Sequence, residues 1–254
     1  MSLPKHKRNK IASLYSWHRY AGVLTALFVI FISITGVLLN HTDELSLKSR
    51  YLDSNFLLDQ YHVKRPLNIA HYSTQLHVIS QADDMLFIDN TKPIFIDSTL
   101  TGTVENSSYL FISLVNSLLV VDQHGQLLET LGQSDSVPNH IERFGIDSEQ
   151  HLILLANKQH YQLTENFNIH KTTKPIDINW SAAAPLSQTK EAHLAHQYRS
   201  RVISVESFLL DIHSGRFFGR YGQLAFDAIA IILIFLAITG LIMWFKQRAK
   251  KRGS

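Results

Sequence analysis

Three histidines stand at the ends of two apolar runs. His41 closes the run of residues 20–39, His213 lies just upstream of the run of residues 228–245, and His18 precedes the first run within Trp17-His18-Arg19-Tyr20-Ala21-Gly22. Neutral imidazole is a common ligand of iron and other transition metals. Imidazoles that meet at one end of a helix pair are what a membrane haem or metal site requires. His41 and His213 fall at one depth if both runs are spanning helices. His18 and His41 are 23 residues apart, about 35 Å along one helix and roughly 140° apart around it. They cannot share a haem within one chain, so ligation by both implies two sites near opposite membrane faces. Each histidine also has a plainer reading as an interfacial anchor, with Trp17, Arg19 and Tyr20 forming an aromatic and cationic belt around His18.

Other polar residues bear on the same chemistry. Arg216 and Arg220 flank the outer end of the second run and could pair with haem propionates through forked hydrogen bonds, or with lipid headgroups. Asp227 lies about two turns inside that run, where a carboxylate is costly. It is expected to face the bundle, protonated or paired with Asn40 or Tyr221. Thr35-Gly36 and Thr239-Gly240 place small residues in each run, suited to close helix approach. His193 and His196 have helical i, i+3 spacing with Glu191 nearby, a weak Fe(III) surface signal beside the plainer reading as a surface pair. No nucleophile elbow, phosphate-binding glycine loop or dinucleotide fingerprint occurs. If electrons come from nicotinamide or flavin, another protein binds it.

The elements that must position these residues follow from the runs and their flanks. About 20 uncharged residues cross a ~30 Å hydrocarbon layer as a helix. Lys5, Lys7, Arg8, Lys10 and Arg19 precede the first run, and Lys246, Arg248, Lys250, Lys251 and Arg252 follow the second. The positive-inside bias puts both termini in the cytoplasm. The expected organisation is a cytoplasmic N-terminus (1–19), a first transmembrane helix (20–41), an outer domain (42–218), a second transmembrane helix (219–245) and a basic cytoplasmic tail (246–254). The first span is too long for a signal-peptide core and lacks a small-residue cleavage site, so it reads as a retained anchor. The pI near 9.0 comes mostly from the two cytoplasmic clusters, which read as topology signals facing anionic lipid, with no nucleic-acid partner. With no cysteine, the outer domain has no disulfides, and iron–sulfur or thiol chemistry is excluded.

The outer segment repeats. Runs at 77–80, 85–89 and 94–97 recur at 110–113, 118–122 and 127–130, and again at 152–155, 160–164 and 169–172. Each copy is three short β-prone runs divided by turn residues. Blade-like antiparallel meanders at this spacing point to a partial propeller or an irregular β-sandwich. Residues 187–198 read as one short helix. The fold class is thus a mixed α and β membrane protein, two transmembrane helices with a mainly-β outer domain.

The motif from Trp17 to Gly22 leading to Thr35-Gly36-Val37-Leu38-Leu39-Asn40-His41, together with the segment from Leu210 to Gly219 and Thr239-Gly240-Leu241-Ile242-Met243-Trp244, resembles the PepSY-associated transmembrane helix family. With two spans and one large loop, the chain looks most like the small Vibrio-type ferric reductases of that family that assist ferrous iron transport. Better-known members have four or more spans in one chain, and the outer segment here reads as β-meander. The resemblance implies a bacterial inner-membrane protein with a periplasmic loop, haem b (one or two per dimer, or more) and His18, His41 and His213 as candidate ligands. It also implies a haem-dependent ferric reductase, an oxidoreductase with iron as substrate. A cytoplasmic or quinone donor would supply electrons, and a ferrous iron transporter would take the product. Two helices can clamp a haem but cannot wall it off from lipid, so a homodimer forming a four-helix bundle is expected. The rival expectation is non-enzymatic, a membrane-anchored β domain acting as sensor or partner-binding subunit of an iron or siderophore uptake system.

Overall fold

The computed structural model describes residues 5–89, 91–173 and 177–252. The chain is a two-span membrane protein in which the two spans flank a mainly-β domain. The first helix, α1 (Lys5–Asn40), contains an apolar stretch at Ser16–Asn40, and the last, α5 (Gly219–Arg252), lies largely within a second at Arg216–Arg248. At ~1.5 Å per residue both exceed the ~30 Å hydrocarbon layer. Within the chain only 11 % of the first apolar window and 6 % of the second is buried, the reverse of a soluble core helix. Their side chains therefore belong against lipid or another copy.

The chain divides into two compact units, 1–58 with 201–254, and 59–200. The β unit is thus narrower than the expected 42–218. Residues on either side of it stay with the helices because their backbones pair: Leu52 N–H donates to Ile203 O at 3.0 Å, Val205 N–H to Arg50 O at 2.8 Å, and Tyr51 bridges Ser204. The helical unit also holds a short helix, α4 (Val205–His213), absent from the sequence expectation. The hydroxyl of Ser204 accepts from Ser207 N–H and caps its start. Gly215, at φ +76°, ends it in the left-handed conformation that a side chain would strain. A Cβ there would also lie 2.8 Å from the Phe226 ring. This tight reversal folds α4 back so that it packs against α1 and carries His213 with it. Phe28 and Phe226 lock α1 to α5 edge to face, their centroids 4.7 Å apart.

The β unit is three four-stranded antiparallel meanders, the third with an added edge strand. They comprise β1 to β4 (Ile69–Ser73, Val78–Ala82, Met85–Ile88, Ile94–Phe95), β5 to β8 (Leu100–Glu105, Leu110–Leu114, Leu118–Val121, Leu127–Leu131) and β9 to β12 (Ile141–Ile146, Leu152–Ala156, Gln159–Leu163, Ile169–Thr172). The added strand, β13 (Asn179–Trp180), pairs with β9. The repeated sequence runs are strands two to four of each meander, and the first strand of each was not anticipated. Period-2 alternation sends the two faces of the middle sheet into different cores. Leu110, Ile112, Leu119 and Val121 pack with Ile79, Leu86 and Ile88 of the first sheet. Phe111, Leu118 and Val120 pack with Phe144, Leu152 and Leu154 of the third. The outer face of the first sheet, through Ala82, Met85 and Phe87, packs against Leu194 of helix α3 (Gln188–Arg199). Arg199 closes this unit by pairing with Asp59 of the short helix α2 (Asn55–Gln60) and donating from Nε to Val63 O at 3.0 Å.

Candidate functional site

The helical unit holds two histidine–threonine pairs that tie its elements together. His213, at the end of α4, places Nδ1 2.7 Å from Thr35 Oγ1 on α1. His18, near the start of the α1 span, places Nδ1 2.9 Å from Thr239 Oγ1 on α5. Both threonines are almost fully buried, at 4 % and 5 % exposure. Each is followed by a glycine facing the same ring: a Cβ on Gly36 would lie 3.6 Å from His213 Cε1, and one on Gly240 3.6 Å from His18 Cε1. The Thr-Gly pair of each span therefore serves as the seat for an imidazole from another helix.

The hydroxyl contacts favour one tautomer of each ring. Thr35 Oγ1 donates to its own helix, with Phe31 O at 3.0 Å and Ile32 O at 3.1 Å. Thr239 does the same toward Phe235 O at 2.8 Å and Leu236 O at 3.2 Å. A hydroxyl has one hydrogen, so with that hydrogen on the carbonyl, Thr Oγ1 can only accept from the imidazole. Nδ1 then carries the proton, and the Nε2 lone pair of both His18 and His213 is left without a protein partner among the described residues. This is the ring state of a metal-ligating histidine, in which the hydrogen bond of one nitrogen orients the other. Thr25, also buried, bonds its own helix through Ala21 O and Gly22 O and, among the described residues, no histidine.

The remaining expected residues lie elsewhere. The structure does not join His41 to His213 within the chain. His41 is exposed past the end of α1, with Nδ1 3.0 Å from Glu44 Oε2. Thr35 sits about 9 Å earlier along the helix axis, and that is where His213 docks. Arg216, in a 3₁₀ turn after α4, pairs through Nε with Asp211 Oδ1 at 3.0 Å, and Arg220 is exposed on the first turn of α5. Asp227 is paired with neither Asn40 nor Tyr221, and all three are exposed on the helical unit. The side chain of His6, a conceivable partner for His18, lies outside the described residues. His193 and His196 fall on α3 of the β unit, and among the described residues no group of three or more His, Cys, Asp or Glu is placed to hold a metal ion.

Thr35 and Thr239 were legible only as small helix-packing residues. The available signal was the recurrence of Thr-Gly at the level of the other element's histidine. A family model for the PepSY-associated TM region matches residues 2–248. The chain belongs to that family. No curated protein sequence gives a significant match.

Proposed function

We propose that this chain is a haem-dependent ferric reductase of the bacterial inner membrane, passing electrons outward to periplasmic Fe(III) in support of ferrous iron uptake. The observation that carries this reading is the pair of imidazoles, each fixed by a threonine acceptor and each with a free Nε2 lone pair, at the two ends of one helix pair. The residues fit haem b: Nε2 of His18 and of His213 would bind the iron, and Gly36 and Gly240 leave open the space a Cβ would fill beside each ring. When bound, haem b supplies a one-electron carrier whose potential is set by its axial ligands and burial.

The work of the chain is placement. His18 and Thr35 are separated by about 25 Å of helix, most of the hydrocarbon thickness, so two carriers at these levels divide the crossing. Thr35 and Thr239 hold the imidazoles in one tautomer. Arg216 and Arg220, just beyond His213, are suited to carboxylate partners. Each Fe(III) takes up one electron and leaves as Fe(II).

The reading extends to a homodimer. Each site offers one free imidazole nitrogen, and a second copy with its own spans offers the other at the same depth. An exposed Asp227 within an apolar helix is also better placed facing a second copy than facing lipid. The electron donor is of cytoplasmic or quinone type, and both termini are cytoplasmic by the basic flanks.

The test uses purified full-length protein in nanodiscs, reduced with dithionite and freed of excess reductant. Addition of ferric citrate is expected to reoxidise the haem band and to release one Fe(II) per haem. Reduced protein that keeps its ferrous spectrum in the presence of ferric citrate would rule out the reductase.

A further inference from the structure

A second candidate site lies within the β unit and is independent of that reading. Between α3 and the outer face of the first sheet is a cavity of about 560 Å³, within the range of small-molecule sites. Val78, Phe87 and Leu194 form apolar wall, and His71, Lys190 and His193 bring donor groups to the same space. We propose that this cavity binds a small organic anion, a carboxylate carried on an apolar body.

His71 is the most telling residue. It is only 7 % exposed, its Nδ1 lies 2.9 Å from Ser80 Oγ, and among the described residues no protein group bonds its Nε2. Ser80 differs here from the membrane threonines, because among the described residues no backbone carbonyl takes its hydrogen. Ser80 can donate to Nδ1, which leaves Nε2–H as the donor that His71, a lining residue of the cavity, has for a ligand. Burial first, and the Lys190 charge second, hold His71 below its usual range, so the ring meets a ligand as a neutral donor. Lys190 makes no ion pair among the described residues and supplies the positive charge.

The one carboxylate at the cavity, Asp89, is already committed. Its Oδ2 lies 2.7 Å from His77 Nδ1 and its Oδ1 accepts from Val78 N–H at 2.8 Å. The groups left for a ligand are therefore a cation, two imidazoles, the Thr189 hydroxyl and the Gln197 amide beside an apolar wall. That combination selects an anion with a hydrophobic body over a cation or a sugar.

The experiment is calorimetric titration of full-length protein in nanodiscs with 2-naphthoate, using the neutral isostere 2-naphthamide as comparison. Saturable 1:1 binding of the acid, at least tenfold tighter than the amide, is expected. Lys190→Ala should weaken the acid about tenfold. Thr189→Trp, at an exposed position on the cavity wall, should abolish binding while circular dichroism stays unchanged. Equal affinity for acid and amide would overturn the anion assignment. Binding that survives Thr189→Trp, or absence of saturable binding, would overturn the site itself.

Discussion

Thr35 Oγ1 lies 2.7 Å from His213 Nδ1 while bonding back to the carbonyl of Phe31. That places two functions on one atom. It satisfies the helix, and it fixes which nitrogen of His213 is free. The pair Thr239 and His18 repeats the arrangement at the other end of the spans.

Removing the acceptor tests this coupling. Thr35→Val is nearly isosteric but cannot accept a hydrogen bond, and it should cost 10- to 100-fold in haem affinity or ferric reduction, the usual scale for a partner that orients a ligand. Thr35→Ser should restore most of the loss. Haem titration of the apoprotein reads the difference.

The three histidines should behave differently. His213→Ala and His18→Ala should each remove about half of the bound haem, and the loss of both should leave none. His41→Ala should retain haem close to wild type, since His41 faces Glu44 and is exposed. Pyridine haemochrome quantification on membranes with matched protein content measures this directly.

The fold was partly legible beforehand. Charge-free runs exposed both spans, and alternating apolar runs gave strands two to four of each meander. The first strands escaped because Ile69–Ser73, Leu100–Glu105 and Ile141–Ile146 mix polar and glycine residues into the pattern. Their strand state comes from pairing with the next strand, a tertiary effect. Helix α4 had readable ends, Ser204 and Gly215, although its nine residues are too few to stand out by period. The seat of His213 was hidden for another reason. Its threonine is 178 residues away, and no local pattern encodes a contact of that span. Matching histidines by depth alone pairs His213 with His41 and says nothing of Thr35.

The β unit should lose stability with acid in two stages. His71 is held below its usual range by burial and by Lys190. Below about pH 6.5 the unfolded chain gains a proton at this position that the folded chain refuses, so stability falls as pH drops from there toward the folded-state value. Asp147 lies the other way. Burial alone would raise it, but hydrogen bonds from His151 and Glu149 outweigh that and lower it. Its contribution is full above the ordinary carboxylate range and is lost as pH falls through the lowered value. Chemical denaturation at several pH values should show both stages, with His71→Phe flattening the first and Asp147→Asn the second.

Phe144 is fully buried where the second and third sheets meet. Phe144→Ala should destabilise the β unit by about 3–5 kcal/mol. A denaturation midpoint within error of wild type would show that these sheets do not share a core.

The most direct test of the central claim is the absorption spectrum of the full-length protein, purified from haem-replete cells. The account predicts a Soret band that shifts on dithionite reduction, with the sharp α and β bands of a low-spin bis-histidine centre, all lost in the His18→Ala, His213→Ala double variant. Colourless, folded wild-type protein, or an unchanged spectrum in the double variant, would contradict it.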